Sequence, residues 1–184
     1  MTTYINRKQQ TYYLKVGTTK TGKPRYYASM DPDKGENANA MPKGYAFREN
    51  VNGQVSVGKP QPQHIKDTEF ELIQAATRKL ECNCRADIKG EAVVLYTTEK
   101  SQFAGLAGFI GNEAVERLRA NALYQPMLRF VLVDKKERLF EVERMVFSGV
   151  PDWMWIASPQ PLKLIATKFI PLLDDEEALF EGDY

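Results

Sequence analysis

The sequence predicts an α+β protein in which an N-terminal β-hairpin module precedes a mixed domain of antiparallel strands and a few helices. Three observations predict it. Short β-prone runs separated by Gly, Pro and Asn fill the first sixty residues, apolar residues recur at helical spacing after Asp67, and strict alternation marks Leu128, Phe130, Leu132 and then Phe140, Val142. At 184 residues and 43% hydrophobic, the chain can bury one sizeable core, or one core plus a small satellite module.

Thr11 to Val16 reads as a strand, Gly17 to Pro24 as a turn with Lys20 and Lys23 at its tip, and Arg25 to Ser29 as the returning strand. Pro24 cannot donate a ladder hydrogen bond and holds Lys23 extended, which suits strand re-entry. Asp31 to Asn39 is a loop by composition. Asn52-Gly53 tolerates positive φ and predicts a tight I′ turn between Tyr45–Glu49 and Gln54–Val57. Gly58 to Pro62 carries two prolines and reads as a linker, so the expected division is a basic, tyrosine-rich module over 1–62 and an α+β domain over 63–184.

Thr68-x-x-Glu71 predicts a capping box, and Phe70, Ile73, Ala76, Thr77 and Leu80 predict one amphipathic helix. Cys82–Ile88 and Glu91–Tyr96, joined at Lys89-Gly90, read as a hairpin. Asn112 to Asn121 is helical, with Asn112 as cap and Val115 and Leu118 inward. After the two alternating strands around Asp134–Glu137, Ser158-Pro159-Gln160-Pro161 is expected to open a helix with Leu162, Ile165, Ala166 and Phe169 on one face, ending before Pro171. Asp174, Asp175, Glu176, Glu177, Glu181 and Asp183 form an acidic tail.

Charge is divided unevenly. Eleven basic residues stand against four acidic ones up to Lys66, and the remainder holds fourteen basic and twenty acidic, although the net charge is +1. Such asymmetry points to a polyanion-facing surface at the basic end. Lys15, Lys20, Lys23, Arg25 and Lys43 are the candidate phosphate contacts, and Tyr13, Tyr26 and Tyr27 the candidate stacking faces for nucleic acid. Neighbouring tyrosines on a strand point to opposite faces, so one of each pair is expected in the core. Trp153-Met154-Trp155-Ile156 offers Trp153 and Trp155 as candidates for a protein interface, with tucking under the following helix as the competing expectation for Trp153. The acidic tail is a candidate cover for the basic module.

Tyr12-Tyr13-Leu14 through Gly17-x-x-Lys20-Thr21-Gly22-Lys23-Pro24-Arg25-Tyr26, Pro42-x-Gly44-Tyr45 and Glu49-Asn50-x-Asn52-Gly53-Gln54-Val55 resemble the opening of a family of uncharacterised bacterial proteins. Arg129-Phe130, the strand Leu139 to Phe147, Ser148-Gly149-x-x-Asp152-Trp153 and the Pro161-Leu162 helix resemble that family's close. The middle, roughly Lys66 to Tyr124, and the acidic stretch from Asp174 do not match. The resemblance implies a shared fold and a bacterial origin, and it carries over no catalytic residue.

Enzyme chemistry has little to draw on, and no catalytic residue, metal site or cofactor is assigned. His64, the single histidine, lies in a Pro/Gln-rich linker, whereas Ser or Cys nucleophiles need a base within reach. Cys82 and Cys84 are too close in sequence for an unstrained disulfide and are expected as buried or half-buried thiols. A metal-dependent hydrolase would have to be built on Asp87-x-Lys89 with Glu71 or Glu91, a pattern that a charged hairpin turn explains more simply. Gly105 to Gly111 is glycine-rich but lacks the Gly-Lys-Ser/Thr of a phosphate loop. No apolar run approaches the roughly 20 residues of a membrane span. The polar start lacks a signal-peptide core, so the expectation is cytoplasmic. The reading is a non-catalytic binding protein, with nucleic acid as the first expected partner, a protein partner as the alternative and a hydrolase third.

Overall fold

The computed structural model describes residues 2–98, 112–147 and 149–181, and they form an α+β, sheet-rich protein. The chain divides into two compact units, 1–61 and 62–184.

The first unit is built on β2 (Thr11–Thr18), which pairs antiparallel with β3 (Pro24–Ser29) on one side and with β1 (Thr3–Ile5) and the short β4 (Glu36–Asn37) on the other. A separate hairpin joins β5 (Ala46–Glu49) to β6 (Val55–Gly58). Its turn is not type I′. Gly53 alone takes positive φ (77°), and the Asn50 carboxamide oxygen accepts the N–H groups of Asn52 (2.9 Å) and Gln54 (3.0 Å), so the side chain winds a longer loop that ends in a left-handed glycine. Asn6 locks the β1–β2 turn to this loop. Its Oδ1 accepts from Lys8 and Gln10, and its Nδ2 donates to the Gly53 carbonyl at 2.6 Å.

The second unit is a five-stranded antiparallel sheet in the order β11-β10-β9-β8-β7, formed by β7 (Cys84–Lys89), β8 (Ala92–Thr97), β9 (Gln125–Asp134), β10 (Leu139–Val146) and β11 (Asp152–Pro161). Val93, Leu95, Leu128, Phe130, Leu132, Phe140 and Val142 fall on one face by the two-residue period of a strand. Helices α1 (Asp67–Thr77) and α3 (Leu162–Phe169) cover that face with Ile73, Leu162, Ile165, Ala166 and Phe169. Helix α2 spans Asn112–Asn121.

Several expectations need correction. Helix α1 starts two residues earlier than Thr68-x-x-Glu71 implied: Lys66 is the cap, and the Glu69 carboxylate accepts its N–H at 2.8 Å. Ser158 to Pro161 is the end of β11, because it pairs with Leu139 and Phe140, and Pro161 is the residue preceding α3. Leu118 is exposed, and the Val115 side chain lies outside the described residues, as does Gly105 to Gly111. The acidic stretch is no free tail. Asp174 accepts the N–H groups of Glu81 (2.9 Å) and Cys82 (2.8 Å), and the following helix α4 (Glu176–Glu181) buries Leu179 in the core.

Arg138 holds the β9–β10 turn against α1. Its guanidinium donates to both oxygens of Glu69 and, at 3.1 Å, to the His64 carbonyl, with its own φ at +55°. Burial disfavours the Glu69 carboxylate, but the Arg138 guanidinium and the Lys66 N–H outweigh it and hold its pKa below the ordinary value. A depressed folded pKa contributes stability that is present above the unfolded pKa and lost as pH falls through the folded one. Glu69→Gln should therefore cost about 1–3 kcal/mol at pH 7 in urea denaturation. That difference should shrink as pH falls below about 4 and on through the depressed folded pKa, where Glu69 becomes protonated in the folded protein as well.

Candidate nucleic-acid interface

The sheet of the first unit has two faces with different fates. Tyr12, Leu14 and Val16 alternate onto one face with Tyr4 and Tyr26 as cross-strand neighbours. Tyr12 and Leu14 are buried there. This face meets the second hairpin. The Tyr4 and Phe47 rings lie 5.4 Å apart, and the Tyr26 and Tyr45 rings 5.9 Å apart at 56°. Glu49 accepts from the Tyr4 hydroxyl at 3.0 Å and from the Arg7 N–H at 3.1 Å, and the hydrogen bond to Glu49 raises the Tyr4 pKa.

Tyr13, Lys15, Gly17 and Tyr27 occupy the opposite face. Lys15 is 0% exposed, and its ammonium donates to the Pro32 carbonyl and, at 2.7 Å, to Asn37 Oδ1, with the Tyr13 ring 5.8 Å away. Lys15 therefore leaves the set of phosphate contacts: its donors are spent on the loop that covers it. Gly35 takes φ +81°, and a Cβ there would stand 2.3 Å from the Tyr27 hydroxyl, so only glycine lets that loop close over Tyr27. Tyr13 and Tyr27 are half-buried flanks of this covered lysine.

The remaining cations are open. Lys20, Lys23 and Arg25 are exposed around the β2–β3 turn, which the Thr19 hydroxyl tightens by accepting the Lys23 N–H at 3.0 Å. Lys43 is exposed ahead of β5. The Lys59 ammonium lies 5.8 Å from the Tyr45 ring, which is the ring that meets Tyr26. This grouping of Tyr26, Tyr45 and Lys59 combines ring faces with a cation. It assembles residues from β3, the loop before β5 and the end of β6, so sequence spacing carried no sign of it.

In the second unit, the register places Arg129, Glu143 and Trp155 side by side on the sheet face away from α1 and α3. Arg129 pairs with Glu143 and stacks over the Trp153 ring at 4.3 Å. Trp153 is half-buried under this guanidinium instead of under α3, and Trp155 stays exposed. Asp87 pairs with Lys89 at 3.2 Å, which makes Asp87-x-Lys89 a charged strand end, and His64 lies 3.9 Å from Glu91. Among the described residues, no three potential metal ligands converge. No described helix is long and apolar enough to cross a membrane. Cys82 and Cys84 are half-buried thiols that no disulfide joins.

No family model matches the chain, and no curated protein or solved structure matches it either.

Burial pushes the Cys84 thiol up to about 12, with the Asp174 carboxylate adding to the effect. At pH 8 Cys84 is therefore protonated and unreactive in the folded protein. Labelling by a soluble alkylating reagent, read by peptide mass, should modify Cys84 at least ~10²-fold more slowly than in urea. In the first unit, Lys15→Ala should lower thermal stability by about 2–4 kcal/mol, because it removes a buried stem and orphans the Pro32 and Asn37 acceptors.

Proposed function

We propose that this is a non-catalytic binding protein whose N-terminal hairpin unit takes nucleic acid. The observation that carries the reading is the placement of exposed Lys20, Lys23 and Arg25 around one turn, with the half-buried Tyr26–Tyr45 ring pair and Lys59 following directly along the fold. Cations at the turn would neutralise backbone phosphates while the rings receive bases, which is how sheet-based modules hold a strand with little sequence preference. Tyr13 and Tyr27 contribute less, since the loop over Lys15 closes on their side. Two cysteines kept as thiols fit a reducing compartment, which supports a cytoplasmic setting.

A protein-interaction role is the second reading, favoured by the exposure of Trp155 on an outer strand. Salt separates the two, because phosphate contacts weaken steeply as salt rises while an apolar contact does not.

Fluorescence anisotropy with labelled single-stranded and duplex DNA and RNA tests the first reading. Binding should fall with salt, and the Lys20/Lys23/Arg25 triple alanine variant should weaken it by at least ~10-fold and flatten the salt slope. Tyr26→Ala should weaken single-strand binding by about 1–3 kcal/mol. Absence of binding at low salt would overturn the reading.

A further inference from the structure

The five-stranded sheet ends in two unequal edges. On β7, Arg85, Asp87 and Lys89 alternate along the strand, the kind of charged edge that discourages further pairing. Strand β11 carries no charged residue after Asp152 up to Pro161. Its later half is spoiled for pairing by two register shifts against β10 and by Pro159 and Pro161, which lack an N–H. Asp152–Trp155 is different: it runs in unbroken register with Glu143–Val146 and, among the described residues, leaves the outer row of backbone groups without a neighbouring strand in the sheet order. Around it the β10–β11 hairpin shows Phe147 at 46% exposure, Val150 at 86%, Met154 at 41% and Trp155 at 54%. A regular strand edge with a single charge at its start, beside large exposed apolar side chains, is what sheets avoid unless something pairs there.

We propose that Asp152–Trp155 pairs antiparallel with the same segment of a second copy of this chain, joining two five-stranded sheets across a two-fold axis. Backbone chemistry calls for another strand edge, and charge selects which one. With the axis through Met154, Trp153 lies opposite Trp155 and Asp152 opposite Ile156, so the segment's single charge never meets its like. Pairing with β7 would instead set Arg85, Asp87 and Lys89 against tryptophan and methionine, and would build an open series of sheets with no closure. The two-fold pairing also lays each exposed hairpin tip alongside the other copy's strand and takes Val150 and Trp155 out of water. Because these residues lie in the second unit, the inference stands independently of the nucleic-acid reading.

Sedimentation equilibrium of the full chain, run up to hundreds of micromolar, tests it together with amide hydrogen exchange at the same concentrations. The expected result is a mass that rises from monomer to dimer and stops there, with amides in Asp152–Trp155 slowing as the dimer forms. Trp155→Lys sets a charge against Trp153 of the other copy and marks the edge as unpaired, and should weaken dimerisation by at least ~10-fold, while the Lys20/Lys23/Arg25 variant should dimerise as the parent does. A monomer at every concentration overturns the proposal. So does a dimer whose β11 amides exchange at an unchanged rate, a dimer insensitive to Trp155→Lys, or growth beyond two copies. If Trp155→Lys loses its native circular dichroism, the concentration dependence of exchange in the parent protein decides.

Discussion

Lys15 stands at the centre of the first unit's sheet with no solvent contact, and a cation out of water must be given acceptors. The chain supplies them by folding the segment after β3 back over the sheet, so that the Pro32 carbonyl and Asn37 Oδ1 receive the ammonium. That requirement places β4 beside β2 and brings Gly35 against the Tyr27 hydroxyl. It also closes one sheet face. With Tyr12 and Leu14 buried on the other face, exposed cationic surface is left at the β2–β3 turn and around Tyr45.

Buried or half-buried cations organise the second unit in the same way. Arg138 accepts a left-handed backbone in order to bring its fork to Glu69 and the His64 carbonyl, and this fixes α1 to the turn at the end of the core strands. Arg129 spends its charge on Glu143 and its flat face on Trp153, which keeps that indole on the outer side of the sheet. Asp174 does the complementary work for backbone donors at Glu81 and Cys82, drawing the acidic C-terminal stretch into the unit. Arg138 and Asp174 find these partners far away in sequence, and Arg129 finds its own on the adjoining strands.

The two units thus offer different kinds of surface. In the first, exposed cations gather at the β2–β3 turn and border aromatic rings. Among the described residues, the second ends in one edge that alternates charges and one whose single charge is Asp152. Polyanion binding and strand pairing draw on separate residues, so a copy could do both at once. A dimer through β11 would present two basic units, and linked sites gain avidity on a long polyanion.

Local chemistry was legible in the sequence. Alternation marked Leu128, Phe130, Leu132, Phe140 and Val142 as core, Pro24 marked strand re-entry, and Ile73, Ile165 and Phe169 marked the buried helix faces. These are readable because strand and helix periods are properties of adjacent residues. The α+β class follows from them. Which lysine is buried, which tyrosines meet and which strand ends the sheet are decided by contacts between distant segments. Lys15 reads like any strand lysine until Pro32 and Asn37 cover it, and Ser158 to Pro161 reads like a helix start until Leu139 and Phe140 pair with it. The acidic residues from Asp174 onward read as a solvated tail because composition cannot show a carboxylate capping backbone some ninety residues away. Sequence determined the elements and the uneven charge; tertiary structure decided which charges remain available to a ligand, because desolvation and pairing act on neighbours in space.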